Sequence, residues 1–234
     1  MTAAQTSDPI AGISSIATRH ILLELAKAYE RQSGQRVTLE SVGGVEAARR
    51  VQEGEAFDFV VLAAEAIDKL ARSDRVDRAS RIDLARSGAA IAVQAGAPRP
   101  DIGNELAVRQ AVLAARSIGY STGPSGVYLA RLFERWGIAE TIAPRLVQAP
   151  PGVPVGSLIA RGDVELGFQQ LSELMHLAGI DIVGPLPPEI QLVTVFTAAI
   201  CSASTRPQLA KALLSFLASP EAHAAKRRHG MEQV

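Results

Sequence analysis

Cysteine is almost absent. Cys201 stands alone among 234 residues, so no disulfide closes within the chain and no cysteine-clustered zinc or iron–sulfur site can form. A single thiol survives in either redox environment and leaves the compartment open. Aromatic residues are scarce at 4%, which argues against a platform on which nucleic-acid bases stack. A surplus of charge is missing as well. The 24 basic and 24 acidic side chains leave a formal net charge of +0, whereas nucleic-acid binders usually carry a basic excess. No apolar run approaches the ~20 residues that span a bilayer, so membrane insertion is not expected. No histidine pair has metal-ligand spacing, and no Gly-x-x-x-x-Gly-Lys loop or Gly-x-Ser-x-Gly elbow occurs. The chain therefore calls for no metal and no cofactor. Met1 to Pro9 has neither a basic n-region nor an apolar h-region. As written, the chain is expected in the cytoplasm; a periplasmic location requires a leader that has been removed.

What is present is an ordinary globular composition, with 47% apolar and 21% charged residues. The length suits one large domain or two small ones. Strand-like apolar runs alternate with amphipathic segments. Ile10 to Ile13 reads as a strand, Ser14 to Gln32 as a helix, Val37 to Ser41 as a strand and Val45 to Gln52 as a helix. Phe57 to Ala63 is apolar apart from Asp58, as a strand buried on both faces should be, and Ala64 to Arg72 follows as a helix. This rhythm predicts a mostly parallel, doubly wound α/β sheet. Ile82 to Val93 is a long apolar segment that breaks the rhythm, which restarts after Pro100. Gln191 to Ser202 is a second long β-rich segment, and helices over Pro207 to Leu217 and Pro220 to Arg228 close the chain. The expectation is two α/β lobes joined by two crossing strands. One comprises 1–84 with 191–234 and the other 85–190, hinged as a clamshell around a ligand cleft.

The candidate chemistry lies where strands end and helices begin. Gly12-Ile13-Ser14-Ser15, Ser41-Val42-Gly43-Gly44 and Gly123-Pro124-Ser125-Gly126 are such turns. Helix amino termini carry unpaired N–H groups and about half a unit of positive charge, so several converging on one point make an anion site without lysine or arginine. Each turn taken alone is equally a capping turn. Ala149 to Gly156 is a proline- and glycine-rich connection that includes Gly152 and Val153. Gln169 and Gln170 follow an apolar run, and their neutral amides can donate to an anion. His20 and Glu46 lie in first helical turns and are the weaker candidates for an acid–base group; neither announces itself as one. His176 reads as structural. Lys226-Arg227-Arg228-His229 reads as a solvated helix end that suits the dipole there.

Taken together, these residues resemble the type II periplasmic-binding-protein superfamily, in its molybdate-binding branch. The resemblance covers nearly the whole chain. It rests on the Ser-rich turn before the first helix, on Ala47 to Asp58, on Pro124-Ser125-Gly126-Val127-Tyr128 and on the closing Ser219-Pro220-Glu221-Ala222. It implies two lobes around an anion cleft and oxyanion contacts at Ser14 or Ser15, at Gly44, at Ser125 and near Gly152 or Val153. At Gly44 the family has a serine, so a hydroxyl is replaced by a bare N–H. At Gln170 it has a tyrosine that helps to hold molybdate. Both departures favour a carboxylate ligand over a tetrahedral metal oxyanion.

The same branch includes proteins that isomerise aconitate, moving a proton across an allylic system without a cofactor. The expected function is therefore binding of a small anion, a polycarboxylate, as a monomeric solute-binding protein serving an ABC permease. The alternatives are a cofactor-free isomerase of an unsaturated tricarboxylate and a molybdate or tungstate binder. The ligand-binding residues expected are Ser14, Ser15, Gly43, Gly44, Ser125, Gly126, Val153, Gln169 and Gln170.

Overall fold

The computed structural model describes residues 8–234; residues 1–7, part of the segment read for a leader, lie outside them. The chain starts with β1 (Ile10–Ser15), α1 (Arg19–Ser33), β2 (Val37–Val42), α2 (Gly44–Gln52), β3 (Phe59–Ala63), α3 (Ala64–Arg72) and the long β4 (Ile82–Gln94). It continues with α4 (Glu105–Ala114), β5 (Ile118–Tyr120), α5 (Pro124–Arg135), α6 (Ala139–Ile142), β6 (Leu146–Gln148), α7 (Val155–Ala160), β7 (Leu166–Gln170) and α8 (Leu171–Leu174). It ends with β8 (Ile180–Pro185), β9 (Val193–Ile200), α9 (Pro207–Ala218) and α10 (His223–Arg228). The fold is α/β. The chain divides into two compact units, one built from residues up to Ala85 together with Val195–Val234, the other from Arg86–Thr194. β4 and β9 are the two segments along which the chain passes between units.

In the first unit β1 lies between β2 and β3 and runs parallel to both, while β9 pairs antiparallel with β3. β3 is apolar throughout because both its faces are covered. Phe59 and Val61 join a core built with α1 and α9. Val60 and Leu62 join the opposite core, built with α2 and α3. Alternate residues of a strand point to opposite faces, so a strand between two helical layers has no room for a polar residue. The order β2-β1-β3 reverses the direction of winding at β1 and β3. In doubly wound sheets, such a reversal opens a crevice at the carboxyl ends of the strands. Asp58 holds the other ends together. Its carboxylate, on a residue 4% exposed, accepts from Ala11 N–H at 2.9 Å and Ser204 Oγ at 2.7 Å and pairs with Arg206 at 2.7 Å.

In the second unit β5 lies between β6 and β7, parallel to both, and β4 pairs antiparallel with β7 and β8. Its core again has two layers. Ile91, Ile118, Phe133 and Phe168 pack on one side, and Ala90, Ala92, Val155 and Ile159 on the other. The order β7-β5-β6 repeats the reversal of the first unit.

Some local expectations are corrected. Ser14 and Ser15 were expected to open a helix but end β1, in register with Ser41 and Val42. A 3-10 turn over Ile16–Thr18 precedes α1, and the Thr18 hydroxyl donates to the Ser15 carbonyl at 3.1 Å to close it. The tail is only partly a solvated end: Arg227 and Arg228 are exposed, but Lys226 is only 3% exposed, because α10 and Met231 share a core with α1. His176 is exposed, not structural. β8 was not foreseen, since its residues are only partly buried and carry no clear period. Among the described residues, no helix is long and apolar enough to cross a membrane.

Candidate functional site

The first unit gathers four of the expected residues. Register places Ser14 opposite Ser41 and Ser15 opposite Val42 at the carboxyl ends of β1 and β2. The Ser14 and Ser41 hydroxyls lie 2.9 Å apart. Gly43 precedes α2 in extended geometry, and Gly44 begins the helix. A β-carbon added to Gly44 would stand 3.6 Å from Ser15 Cβ, which is ordinary contact. The two residues are therefore neighbours, with room for a small side chain. The Ser15 hydroxyl is buried and has no hydrogen-bond partner. An unpaired buried hydroxyl costs about 1–3 kcal/mol, which a ligand able to accept from it would relieve.

The second unit places Ser125 and Gly126 in the first turn of α5, after β5. The Ser125 hydroxyl lies 3.1 Å from that of Ser121. Gly126 fits closely: a β-carbon there would fall 1.7 Å from the Ser121 carbonyl oxygen. Only glycine lets the turn and the helix meet this tightly. Val153 was expected to offer its N–H, but it donates to the Pro150 carbonyl at 3.0 Å within its own turn.

The two glutamines have internal partners. Gln169 is 2% exposed; its side-chain oxygen accepts from Gly156 N–H at 3.3 Å, and its amide nitrogen donates to Glu173. The Gln170 amide nitrogen donates to the Ser87 and Gly88 carbonyls at 2.9 and 3.2 Å, and its oxygen accepts from Thr194 Oγ1 at 2.6 Å. Both amide hydrogens of Gln170 are thus taken up inside the unit, where they brace β7 against β4.

The acid–base candidates fare differently. His20 is exposed and stacks on His229, with ring centroids 6.3 Å apart. Glu46 pairs with Arg49 on its own helix at 2.6 Å, and hydrogen bonds from that guanidinium hold its carboxyl below the usual range. A carboxylate so stabilised is a weak base. Glu173, in the first turn of α8, was not foreseen. Burial pushes its carboxyl up to about 7, and its side chain keeps partial contact with solvent. The sequence signal was slight: an acid four residues after the first of two buried glutamines.

A family model for bacterial extracellular solute-binding proteins matches residues 11–232. An aconitate isomerase from Pseudomonas sp is 40% identical over 238 residues, covering 99% of this chain and 90% of that protein. The periplasmic molybdate-binding protein of Azotobacter vinelandii superposes with a TM-score of 0.81 at 20% identity, over 96% of this chain and 99% of that one. The sulfate-binding protein SubI of Mycobacterium tuberculosis H37Rv superposes with a TM-score of 0.75 at 16% identity, over 97% of this chain and 88% of that one. The two likenesses between structures establish the shared fold, and the match to the family model extends from β1 to beyond α10. The chain belongs to the bacterial extracellular solute-binding protein family.

Proposed function

We propose that this protein binds a small organic polycarboxylate and shifts the double bond of an unsaturated tricarboxylate, as its aconitate isomerase relative is named for doing. The observation that carries this reading is the 40% identity over 99% of the chain, against 20% and 16% for the molybdate- and sulfate-binding structures. The reaction breaks a C–H bond at the methylene carbon. The electron pair spreads through the adjacent C=C bond and carboxylates, and a C–H bond then forms at the far vinyl carbon. Atoms and electrons balance without an oxidant or reductant. Such a reaction needs oriented donors for the charge that develops on the carboxylates, together with a base whose pKa lies near neutrality.

The donors assigned in the first unit are the Ser15 hydroxyl and the first-turn N–H groups at Gly43 and Gly44; in the second unit the Ser125 turn is a separate candidate. Gly44 leaves the space beside Ser15 open. With no lysine or arginine among the assigned donors, affinity comes from neutral dipoles and depends only modestly on salt.

A second reading is favoured by the family model itself: the protein carries a polycarboxylate to an ABC permease as a periplasmic monomer. Isothermal calorimetry against trans-aconitate, cis-aconitate, citrate, molybdate, tungstate and sulfate tests the carboxylate ligand that both readings share, and conversion of trans-aconitate to its cis isomer separates isomerase from carrier. Binding of aconitate with no heat from molybdate supports the proposal. Micromolar or tighter molybdate binding with no heat from any carboxylate overturns it.

A further inference from the structure

The chain passes between its two units twice, leaving the first after Ala85 on β4 and returning at Val195 on β9. One buried side chain of the second unit holds both passages. The Gln170 amide nitrogen donates to the Ser87 and Gly88 carbonyls of β4 at 2.9 and 3.2 Å, and its oxygen accepts from Thr194 Oγ1 of β9 at 2.6 Å. Ser87, Gln170 and Thr194 are all buried. Gln191, just before β9, adds a second tie. Ala89 N–H is shared between the Leu192 carbonyl at 2.9 Å and the Gln191 side-chain oxygen at 3.0 Å. The Gln191 amide nitrogen donates to the Leu186 carbonyl at 3.2 Å. A β-carbon on Gly88 would lie 3.1 Å from that nitrogen, so strand and glutamine are already in close contact.

The first unit has its own tie between the same two strands. Thr197 Oγ1 of β9 donates to Asp83 Oδ1 of β4 at 2.6 Å, and Arg81 pairs with the same carboxylate at 3.3 Å. Leu84, Ala85 and Phe196 are buried in that unit's core. Each unit therefore grips both strands, the first at 83–85 and 196–197, the second at 87–89 and 194. Arg86 and Val195 stand between the two grips. A strand that slid or twisted at Ser87 or Thr194 would leave buried polar groups without partners, which the interior does not replace. A strand that bends at one residue between two fixed stretches breaks none of these bonds.

We infer that relative motion of the two units is confined to rotation about the backbone of Arg86 and Val195, and that Gln170 is the brace that confines it. This goes beyond a hinge expected from two crossing strands, because it names the pivot and what fixes it, and it holds whichever ligand the protein takes. The three hydrogen bonds of the Gln170 amide are all made within the second unit. Their effect is to stop the two strands from moving independently, so that the units change arrangement as rigid bodies and in few ways. Fewer arrangements of the free protein leave less conformational freedom to lose when a ligand selects one of them.

The test uses the full chain without ligand. Q170M fills a similar volume and removes all three bonds, whereas T194V removes the bond to β9 alone. Spin labels on K27C and Q110C, exposed positions in the first and second unit, report the distance between units by double electron–electron resonance; Cys201 is buried and stays unlabelled. Hydrogen–deuterium exchange reports the strands. Wild type is expected to give one narrow distance distribution. Q170M is expected to widen it about twofold or more and to speed exchange about tenfold or more at 86–89 and 193–195, the scale of losing a buried hydrogen bond. T194V is expected to act in the same direction to a smaller degree, and as an isosteric change it carries the test should Q170M fail to fold. V195G loosens the pivot itself, so it is expected to widen the distribution while exchange at 87–89 stays within about twofold of wild type. Folded variants at Gln170 and Thr194 that both keep the wild-type width overturn the inference. So does a Q170M whose exchange rises equally across β5, β6 and β7, since Gln170 would then serve the stability of its own unit and not the crossing. A V195G of unchanged width overturns the pivot assigned to Arg86 and Val195.

Discussion

Gly44 stands against Ser15, so close that a β-carbon on the glycine would meet the serine's own at 3.6 Å. That contact is permitted, so packing against Ser15 does not itself demand a glycine here. Gly44→Leu is expected to fold normally and to weaken trans-aconitate binding more than tenfold in calorimetry. Gly44→Ser adds a hydroxyl where the resemblance places one. It is expected to tighten molybdate by about tenfold, the worth of roughly one hydrogen bond. Unchanged affinity for both ligands in both variants would remove Gly44 from the site.

Ser15→Ala separates a ligand role from a structural one. The Ser15 hydroxyl is buried and unpaired, so its removal is expected to leave stability unchanged or raise it by up to about 1 kcal/mol. Affinity for trans-aconitate is expected to fall about tenfold. Denaturant titration and calorimetry on one preparation decide the matter. Lost stability with intact affinity would make the hydroxyl part of the scaffold.

Gly126→Ala should behave in the opposite way. Its β-carbon would lie 1.7 Å from the Ser121 carbonyl oxygen, so the start of α5 must move. The expected cost is about 2 kcal/mol or more, read as a fall of several degrees in Tm, with ligand binding lost at the same time.

The Glu173 carboxyl also predicts a pH dependence of stability. Its pKa rises from an ordinary 4.5 to about 7 on folding. Below 4.5 both folded and unfolded states hold the proton, and the group costs nothing. Between 4.5 and 7 the unfolded chain ionises first, so wild type loses stability as pH rises; above 7 the loss levels off. E173Q has no such loss. Its Tm advantage is expected to open across that window and to be worth about 1–2 kcal/mol at pH 8, a value reduced because the side chain keeps some solvent contact. A gap that stays constant from pH 4 to 8 would contradict the burial of this carboxyl.

How far the sequence could be read depended on how local each signal was. β3 was legible because burial on both faces leaves an unbroken apolar run. The turns at Ser14, Gly43 and Ser125 were legible because strand-to-helix junctions draw on few residue types. The end of β1 was not, since a serine that pairs in a strand looks the same as one that caps a helix. Gln169 and Gln170 stood out by composition, but their partners Gly156, Ser87 and Thr194 lie far away in sequence. Glu173 was missed for the same reason: its raised pKa comes from elements packed around it and not from a charge beside it. Lys226 looked like a solvated tail because the helix that covers it, α1, is some two hundred residues earlier.

The most direct measurement follows the proton NMR spectrum of trans-aconitate with purified protein in deuterium oxide. The account predicts that signals of the cis isomer grow in at a rate proportional to protein concentration, without metal or cofactor added. A spectrum unchanged over hours at high protein concentration, from a preparation that calorimetry shows to bind trans-aconitate, would contradict the catalytic claim and leave a carrier of polycarboxylates.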